Sequence, residues 1–136
     1  MKARNFTAIF SITLMFVFFG CTPDSSVAPT TEDVLVKNMW SVDYYYHTQD
    51  MTSEFNPSRI LFSSTGAVAY QKNGVTIPGT WSKVVDASGN ELVNLNFNTS
   101  DGSISRLNES WKIIDRTSTY FQFEESTGVL FRIKVQ

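Results

Sequence analysis

LVNLNF, at residues 92–97, alternates apolar and polar side chains one by one. In an extended chain Val93, Leu95 and Phe97 lie on one side and the asparagines between them on the other. Such alternation is typical of an antiparallel strand that has one buried face and one solvated face. The stretch therefore predicts a β-strand in the wall of a hydrophobic core.

Seven other segments between residues 40 and 134 have a similar length and pattern. Turn residues separate them, and Asn73-Gly74 is the strongest two-residue hairpin signal that a sequence can carry. With no long helical stretch between strands, we expect an all-β antiparallel meander, and eight strands can close into a small barrel. The predicted strands are Trp40–His47, Arg59–Ser63, Ala67–Lys72, Val75–Val85, Leu92–Phe97, Trp111–Asp115, Tyr120–Glu124 and Val129–Lys134.

The alternation also predicts which side chains point inward. Ten of the 19 are aromatic, and each aromatic ring buries roughly 150–250 Å². We therefore expect an interior filled by side chains, with any binding site at a rim or on the outside. The predicted inward residues are Trp40, Val42, Tyr44, Ile60, Phe62, Val68, Tyr70, Ile77, Trp81, Val93, Leu95, Phe97, Trp111, Ile113, Phe121, Phe123, Val129, Phe131 and Ile133.

The N-terminus has the layout of a secretory signal peptide. Lys2 and Arg4 supply positive charge, Phe6–Phe19 an apolar run, and Gly20 a small residue directly before Cys21, the single cysteine. The apolar run has 14 residues, fewer than the ~20 that a membrane-spanning helix needs. A cysteine at the cut site predicts a bacterial lipoprotein, in which that cysteine is lipidated.

The motif around Cys21 departs from the usual lipoprotein pattern, because Phe18 and Phe19 replace a leucine and a small residue. A plain secretory signal therefore remains an alternative. We expect residues 1–20 to be the signal peptide, residues 21–31 the lipidated cysteine and a flexible tether, and residues 32–136 the barrel domain. Thr30 or Thr31 can cap a short helix at the start of that domain, with Val34 and Leu35 packed inward. The expected location is the outer membrane or cell surface, and its periplasmic face is the alternative.

The charge balance argues against several partners. The chain has 11 Lys and Arg against 13 Asp and Glu. Without Lys2 and Arg4 the balance is 9 − 13, or −4. A mildly acidic domain without a basic cluster is poorly suited to nucleic acid. With Cys21 lipidated, no thiol remains for a disulfide, a nucleophile or a metal site.

Several short motifs, taken in order, resemble the small lipocalin-like domains of Bacteroidetes surface lipoproteins. The resemblance covers most of residues 34–135 and implies a small eight-stranded meander barrel or half-barrel whose first long loop covers the mouth. True lipocalins begin with Gly-x-Trp, whereas Asn38 precedes Met39-Trp40 here. The matching pieces are Leu35-Val36-Lys37-Asn38-Met39-Trp40, Phe62-Ser63-Ser64-Thr65-Gly66, Gly79-Thr80-Trp81-Ser82, Leu95-Asn96-Phe97 and Trp111-Lys112-Ile113.

The loop His47–Pro57 is the longest between the early strands and carries Met51 and Phe55. Together with Tyr44 and Tyr46, these two residues form the predicted ligand-binding site at the mouth. A second candidate surface combines an outward Tyr45 with the asparagine row of residues 94–98, and it could hold a sugar or a partner protein. We expect a binding protein for a small apolar molecule or a glycan. The alternative is a protein-binding lipoprotein, such as an inhibitor of a secreted hydrolase.

Catalytic and metal motifs are weak. His47, the single histidine, has only Asp50 and Glu54 near it in sequence, too few for a zinc site that normally uses three or four protein ligands. The run from Asp86 to Glu91 does not follow the ligand order of a calcium loop and predicts a hairpin turn. We therefore expect no enzyme activity, no metal and no cofactor. We also expect a monomer.

Overall fold

A computed structural model describes residues 27–136; the predicted signal peptide, Cys21 and the first half of the tether lie outside the described residues. The described chain is almost entirely β-structure. Its elements are α1 (Thr31–Lys37), β1 (Met39–His47), β2 (Gln49–Asp50), a 3₁₀ turn (Thr52–Glu54), β3 (Arg59–Phe62), β4 (Ala67–Lys72), β5 (Val75–Val85), β6 (Glu91–Phe97), α2 (Gly102–Ser105), β7 (Ser110–Arg116), β8 (Tyr120–Glu124) and β9 (Leu130–Val135).

The strands form one antiparallel meander that closes into a barrel. Their order is β2-β1-β3-β4-β5-β6-β7-β8-β9, and β9 also pairs with β1. Because β2 adds only two residues to the far end of β1, eight strands make the wall. The predicted all-β, eight-stranded barrel is therefore confirmed, and each predicted strand agrees with an observed one within a residue at either end.

Turn chemistry sets the hairpins where the sequence indicates them. Asn73 and Gly74 both have positive φ, 50° and 79°, as the tight two-residue turn between β4 and β5 requires. Asp86 accepts hydrogen bonds from the backbone of Ser88 and Asn90, which closes the β5–β6 turn. The predicted hairpin at Asp86–Glu91 is thus confirmed. The Asp86 carboxylate is occupied by hydrogen bonds within the turn.

The interior is filled by interlocking aromatic rings. Trp40 meets Phe121 edge-on at 5.3 Å between centroids, and Trp111 lies 5.0 Å from Phe131. Sixteen of the nineteen predicted inward residues are buried, while Ile77 and Ile113 are half-buried against the margin of the core. Such packing at close ring distances leaves the barrel axis occupied by side chains.

The prediction for Tyr44 is wrong. The β1–β9 register shifts between Val42 and Tyr44, so Asp43 is an extra residue and the inward side changes from even to odd positions. Tyr45 is consequently buried, at 3% exposure, and Tyr44 lies outside. A prediction that assumes strict alternation of side chains along a strand cannot detect an inserted residue.

Helix α1 lies at one end of the barrel. Thr30 caps it by accepting from the backbone of Asp33, as one of the two predicted caps, and Val34 and Leu35 are buried as expected. The Leu35 carbonyl accepts a 2.9 Å hydrogen bond from the Trp40 indole. The first buried ring of β1 is therefore tied directly to the helix.

Within residues 27–136 no helix has the length and apolarity needed to cross a membrane.

Candidate functional site

The loop between β1 and β3 inserts Phe55 into the mouth of the barrel. Phe55 is fully buried, and its ring lies 4.7 Å from that of Tyr45. The Phe55 carbonyl accepts a 3.3 Å hydrogen bond from the Tyr70 hydroxyl, which comes from the barrel wall. Phe55 is therefore a plug of the core, held through both its ring and its backbone.

A second loop, residues 98–109, covers the mouth from the other side. Asp101 caps α2 by accepting from the backbone of Ser103 and Ile104, and Ile104 and Leu107 are buried. The Leu107 carbonyl accepts a 3.0 Å hydrogen bond from the Trp111 indole. Sequence reasoning missed this lid, although a capping Asp101 followed by apolar residues three apart was the available signal.

A polar cluster of Glu54, Ser103 and Arg106, which we call the latch, joins the two loops. The Glu54 carboxylate accepts hydrogen bonds of 2.8 Å from both the Arg106 guanidinium and the Ser103 hydroxyl. Arg106 also lies 3.7 Å from the Met51 sulfur, and its carbonyl accepts from the Tyr45 hydroxyl at 3.5 Å. Burial raises the pKa of Tyr45 above its usual range, so this hydroxyl stays protonated at neutral pH. The mouth is thus closed over a filled interior.

A shallow outer recess of about 230 Å³ lies at the mouth. Arg106, Glu109, His47 and Glu125 line it over the buried Tyr45 and Trp111. A larger groove of about 690 Å³ lies on the outer wall beside it, with four carboxylates and Lys112 along its sides. Two of those carboxylates, Asp86 and Glu125, are hydrogen-bonded within their own turns. Among the described residues no group of three or more acidic, histidine or cysteine side chains is arranged to hold a metal ion.

The tyrosine surface, which we define as Tyr44, Tyr46, Arg132, Asp43 and Lys134, lies on the outer face of β1 and β9. The two tyrosine rings are nearly parallel, at 8°, with centroids 6.3 Å apart. The Arg132 guanidinium lies 5.9 Å from the centre of the Tyr44 ring, because the two residues are cross-strand partners. The arrangement places two aromatic rings beside a cation on an exposed sheet face.

Asp43 holds the charged part of this surface. It contacts Lys134 at 2.8 Å and Arg132 at 2.6 Å. The hydrogen bond from Lys134, together with that from Arg132, lowers the pKa of Asp43 despite its partial burial, so it is ionised at neutral pH. One carboxylate and two cations leave a local charge of +1. The bulge that moves Tyr44 outward thus also positions the ion cluster beside it.

The structure divides the four predicted ligand-binding residues into two pairs. Tyr44 and Tyr46 lie together on the outer face, whereas Phe55 is inside the core and Met51 is half-buried against it. They do not form a ring around an open mouth, because the bulge turns Tyr44 outward and Phe55 fills the opening. Sequence reasoning missed Arg132 as their neighbour, since the register of β9 against β1 has no local signal in the sequence.

The second predicted surface does not form either. Tyr45 is buried, and the asparagine row belongs to β6, four strands from β1 in both directions around the barrel. Asn94 there bonds to its cross-strand neighbours Ser82 and Ser110. These amides are part of ordinary cross-strand pairing.

A comparison with protein-family models finds no match, and a comparison with curated proteins finds none either. Among solved structures the chain is similar to the crystal structure of a DUF4847 family protein from Bacteroides vulgatus ATCC 8482. The similarity covers 77% of this chain and 96% of that one, with a TM-score of 0.58 and 15% sequence identity. At that identity the likeness shows that the two chains share a fold.

Proposed function

We propose that this chain is a lipid-anchored, extracytoplasmic binding protein of the lipocalin-like type that holds a glycan on the tyrosine surface and acts by binding rather than catalysis. The observation that carries the proposal is the pair of near-parallel rings of Tyr44 and Tyr46 beside the Arg132 guanidinium. The rings lie on a closed, filled barrel, so a ligand meets the protein from outside.

The closed mouth and filled interior argue against the other predicted ligand class, a small apolar molecule at the barrel mouth. Such ligands occupy pre-formed apolar pockets of about 300–1,000 Å³. Here Phe55, Tyr45 and Trp111 occupy that space, with centroids 4.7 and 6.3 Å apart. An apolar ligand would have to displace a fully buried ring.

The chemistry of the tyrosine surface suits a sugar. Aromatic faces carry negative charge density, so the C–H groups of a pyranose ring can pack on them. Arg132 and Lys134 offer N–H donors and Asp43 an acceptor at the edge of the rings. Sugar hydroxyls can both donate to and accept from such groups. The two tyrosine rings would then supply the stacking contacts with the sugar, and the charged groups beside them would orient it through hydrogen bonds.

Binding can be measured with the soluble chain from residue 22 onward and a panel of defined oligosaccharides: maltohexaose, cellohexaose and oligogalacturonate. We expect at least one to shift the NMR signals of Tyr44, Tyr46 and Arg132. Tyr44→Ala and Tyr46→Ala should weaken that binding about fivefold each, because each removes a stacking face of about 1 kcal/mol. Asn96→Ala, on the opposite side of the barrel, is the matched control. Shifts that map elsewhere, or binding that both tyrosine variants retain, would contradict the proposal.

The anchor is tested separately. The proposed lipidation of Cys21 predicts that the full chain partitions into detergent and incorporates labelled fatty acid, and that Cys21→Ala does neither. Two or three acyl chains would anchor the domain stably, at about 0.8 kcal/mol per buried CH₂. If Cys21→Ala still carries labelled acyl chains, the lipoprotein proposal is wrong, whatever the tyrosine surface binds.

A further inference from the structure

Strand β5 extends beyond its neighbour β4. The β4–β5 register ends at Ala67 and Thr80, and the Trp81 N–H then bonds to the Gly66 carbonyl of the preceding turn. Residues 82–85 continue the strand and, among the described residues, pair only with β6. Although the barrel is closed, β5 therefore carries a short open edge of four residues, about 13 Å long.

The direction of the backbone groups on this edge follows from the ladder. Because the Trp81 N–H points to the β4 side and alternate residues point the same way, Lys83 and Val85 direct their N–H and C=O groups to the open edge. The Asn98 N–H bonds to the Pro78 carbonyl on the β6 side, which confirms that even-numbered residues of β5 face β6. The open edge thus presents the donors and acceptors of two residues in strand geometry.

Apolar side chains flank the open edge. Val84 is 43% exposed and Val85 59% exposed, among the most exposed large apolar residues of the described chain. Natural edge strands usually carry a charge or a proline that blocks pairing. Lys83 is the charge here, but its ammonium is held by Glu32 and Glu91, at 3.3 and 3.0 Å. The edge is consequently left without its usual protection.

The charge around the open edge distinguishes between partners. At this edge the single ammonium of Lys83 is paired with two carboxylates, those of Glu32 and Glu91, which leaves a local charge of −1. A second copy of this chain would bring the same negative groups together, and like charges facing each other are destabilising. Four residues are also too short for the ~1,200 Å² that a stable dimer interface needs. A positively charged, extended segment avoids the charge repulsion, and a contact of four residues suits weak binding of such a segment rather than a stable interface.

We propose that residues 82–85 form a strand-addition site, at which an extended segment of a partner protein, basic and with β-branched residues at alternate positions, pairs with β5. The main-chain bonds would come from Lys83 and Val85. Val84 and Val85 point to opposite faces of the strand, so each valine would pack against segment residues on its own face. This inference goes beyond the proposed glycan site, which lies on β1 and β9.

The test uses the soluble chain from residue 22 and two capped peptides, Lys-Val-Thr-Val-Lys and Glu-Val-Thr-Val-Glu, followed by amide NMR. We expect the basic peptide to shift the Lys83 and Val85 amide signals at millimolar concentration, and the acidic peptide to shift neither. Val85→Pro removes one open-edge donor without touching the β6 ladder, and we expect it to weaken binding about fivefold or more. Val85→Thr keeps the N–H and β-branching and is the matched control.

Glu32→Gln provides a second variant that leaves the strand intact, and we expect it to weaken only the basic peptide. The proposal is overturned if the basic peptide causes no shift, if the acidic peptide binds equally well, or if Val85→Pro binds as tightly as Val85→Thr. It is also overturned if ultracentrifugation finds a dimer that Val85→Pro dissociates, because the occupant is then a second copy. Oligosaccharide binding at Tyr44 and Tyr46 would be unaffected by either variant, so the two proposals can fail separately.

Discussion

Replacing Phe55 by alanine should open the barrel that Phe55 now closes. Its side chain is fully buried and packs on Tyr45 at 4.7 Å. Truncation of a buried phenylalanine costs about 3–5 kcal/mol, because apolar transfer energy is lost and a cavity remains. For a domain of this size each kcal/mol lowers Tm by about 4–8 °C, so we expect Phe55→Ala to lower it by at least about 12 °C.

The assay is urea unfolding followed by tryptophan fluorescence, with Met51→Ala as the control from the same loop. Met51 is only half-buried, so its truncation should cost less than about 2 kcal/mol. The new cavity should also bind a small apolar molecule: benzene should raise the Tm of Phe55→Ala and leave that of the unmodified protein unchanged.

Two results would refute this reasoning. If Phe55→Ala costs less than about 1 kcal/mol, Phe55 is not a core plug. If benzene or an environment-sensitive fatty-acid analogue stabilises the unmodified protein as well, the interior has room for a ligand, and the argument for a surface site on Tyr44 and Tyr46 loses its basis.

Three further predictions concern the bulge, a glycine and the latch. The folded pKa of Asp43 is lowered by Lys134 and Arg132, so its stabilising contribution is present above the unfolded pKa of about 3.9 and lost as pH falls through the folded value. Asp43→Asn should therefore flatten the acid limb of a plot of unfolding free energy against pH, and an unchanged limb would contradict the ion cluster. Gly79→Ala would place a Cβ 2.5 Å from the Asn96 carbonyl oxygen, so we expect a loss above about 2 kcal/mol in urea unfolding; a neutral effect would contradict the close β5–β6 approach. Glu54→Gln should cost at most about 1 kcal/mol, since the Glu54–Arg106 pair is solvent-exposed, and hydrogen exchange of the two loops would reveal any larger role.

The strands could be predicted because they depend on local pattern. Along β6, Val93, Leu95 and Phe97 alternate with asparagines, and this alternation reports directly which face is buried. The turn at Asn73-Gly74 is equally local, since positive φ at both positions is a property of those residue types. Helix α1 was predictable from its Thr30 cap and two apolar residues for the same reason.

The candidate site was only partly predictable. The sequence predicts Tyr44 and Tyr46 as ligand-binding residues, but it also predicts Tyr44 inside the barrel and Phe55 at an open mouth. Both errors arise from features without a local signal: a one-residue bulge at Asp43, and a loop that folds back into the core. The identity of the neighbours, Arg132 above all, depends on β9 closing onto β1 across 89 residues of chain.

The amino-acid pattern was sufficient to specify eight strands, their turns and the aromatic character of the core. It is also the basis for expecting a lipidated Cys21. These properties follow from side-chain periodicity and residue type within a few positions. Which tyrosine faces out, which ring plugs the mouth and which edge of β5 stays open depend on register and closure between distant strands. Those relations come from the pairing of whole strands, in which one inserted residue reverses every side chain beyond it.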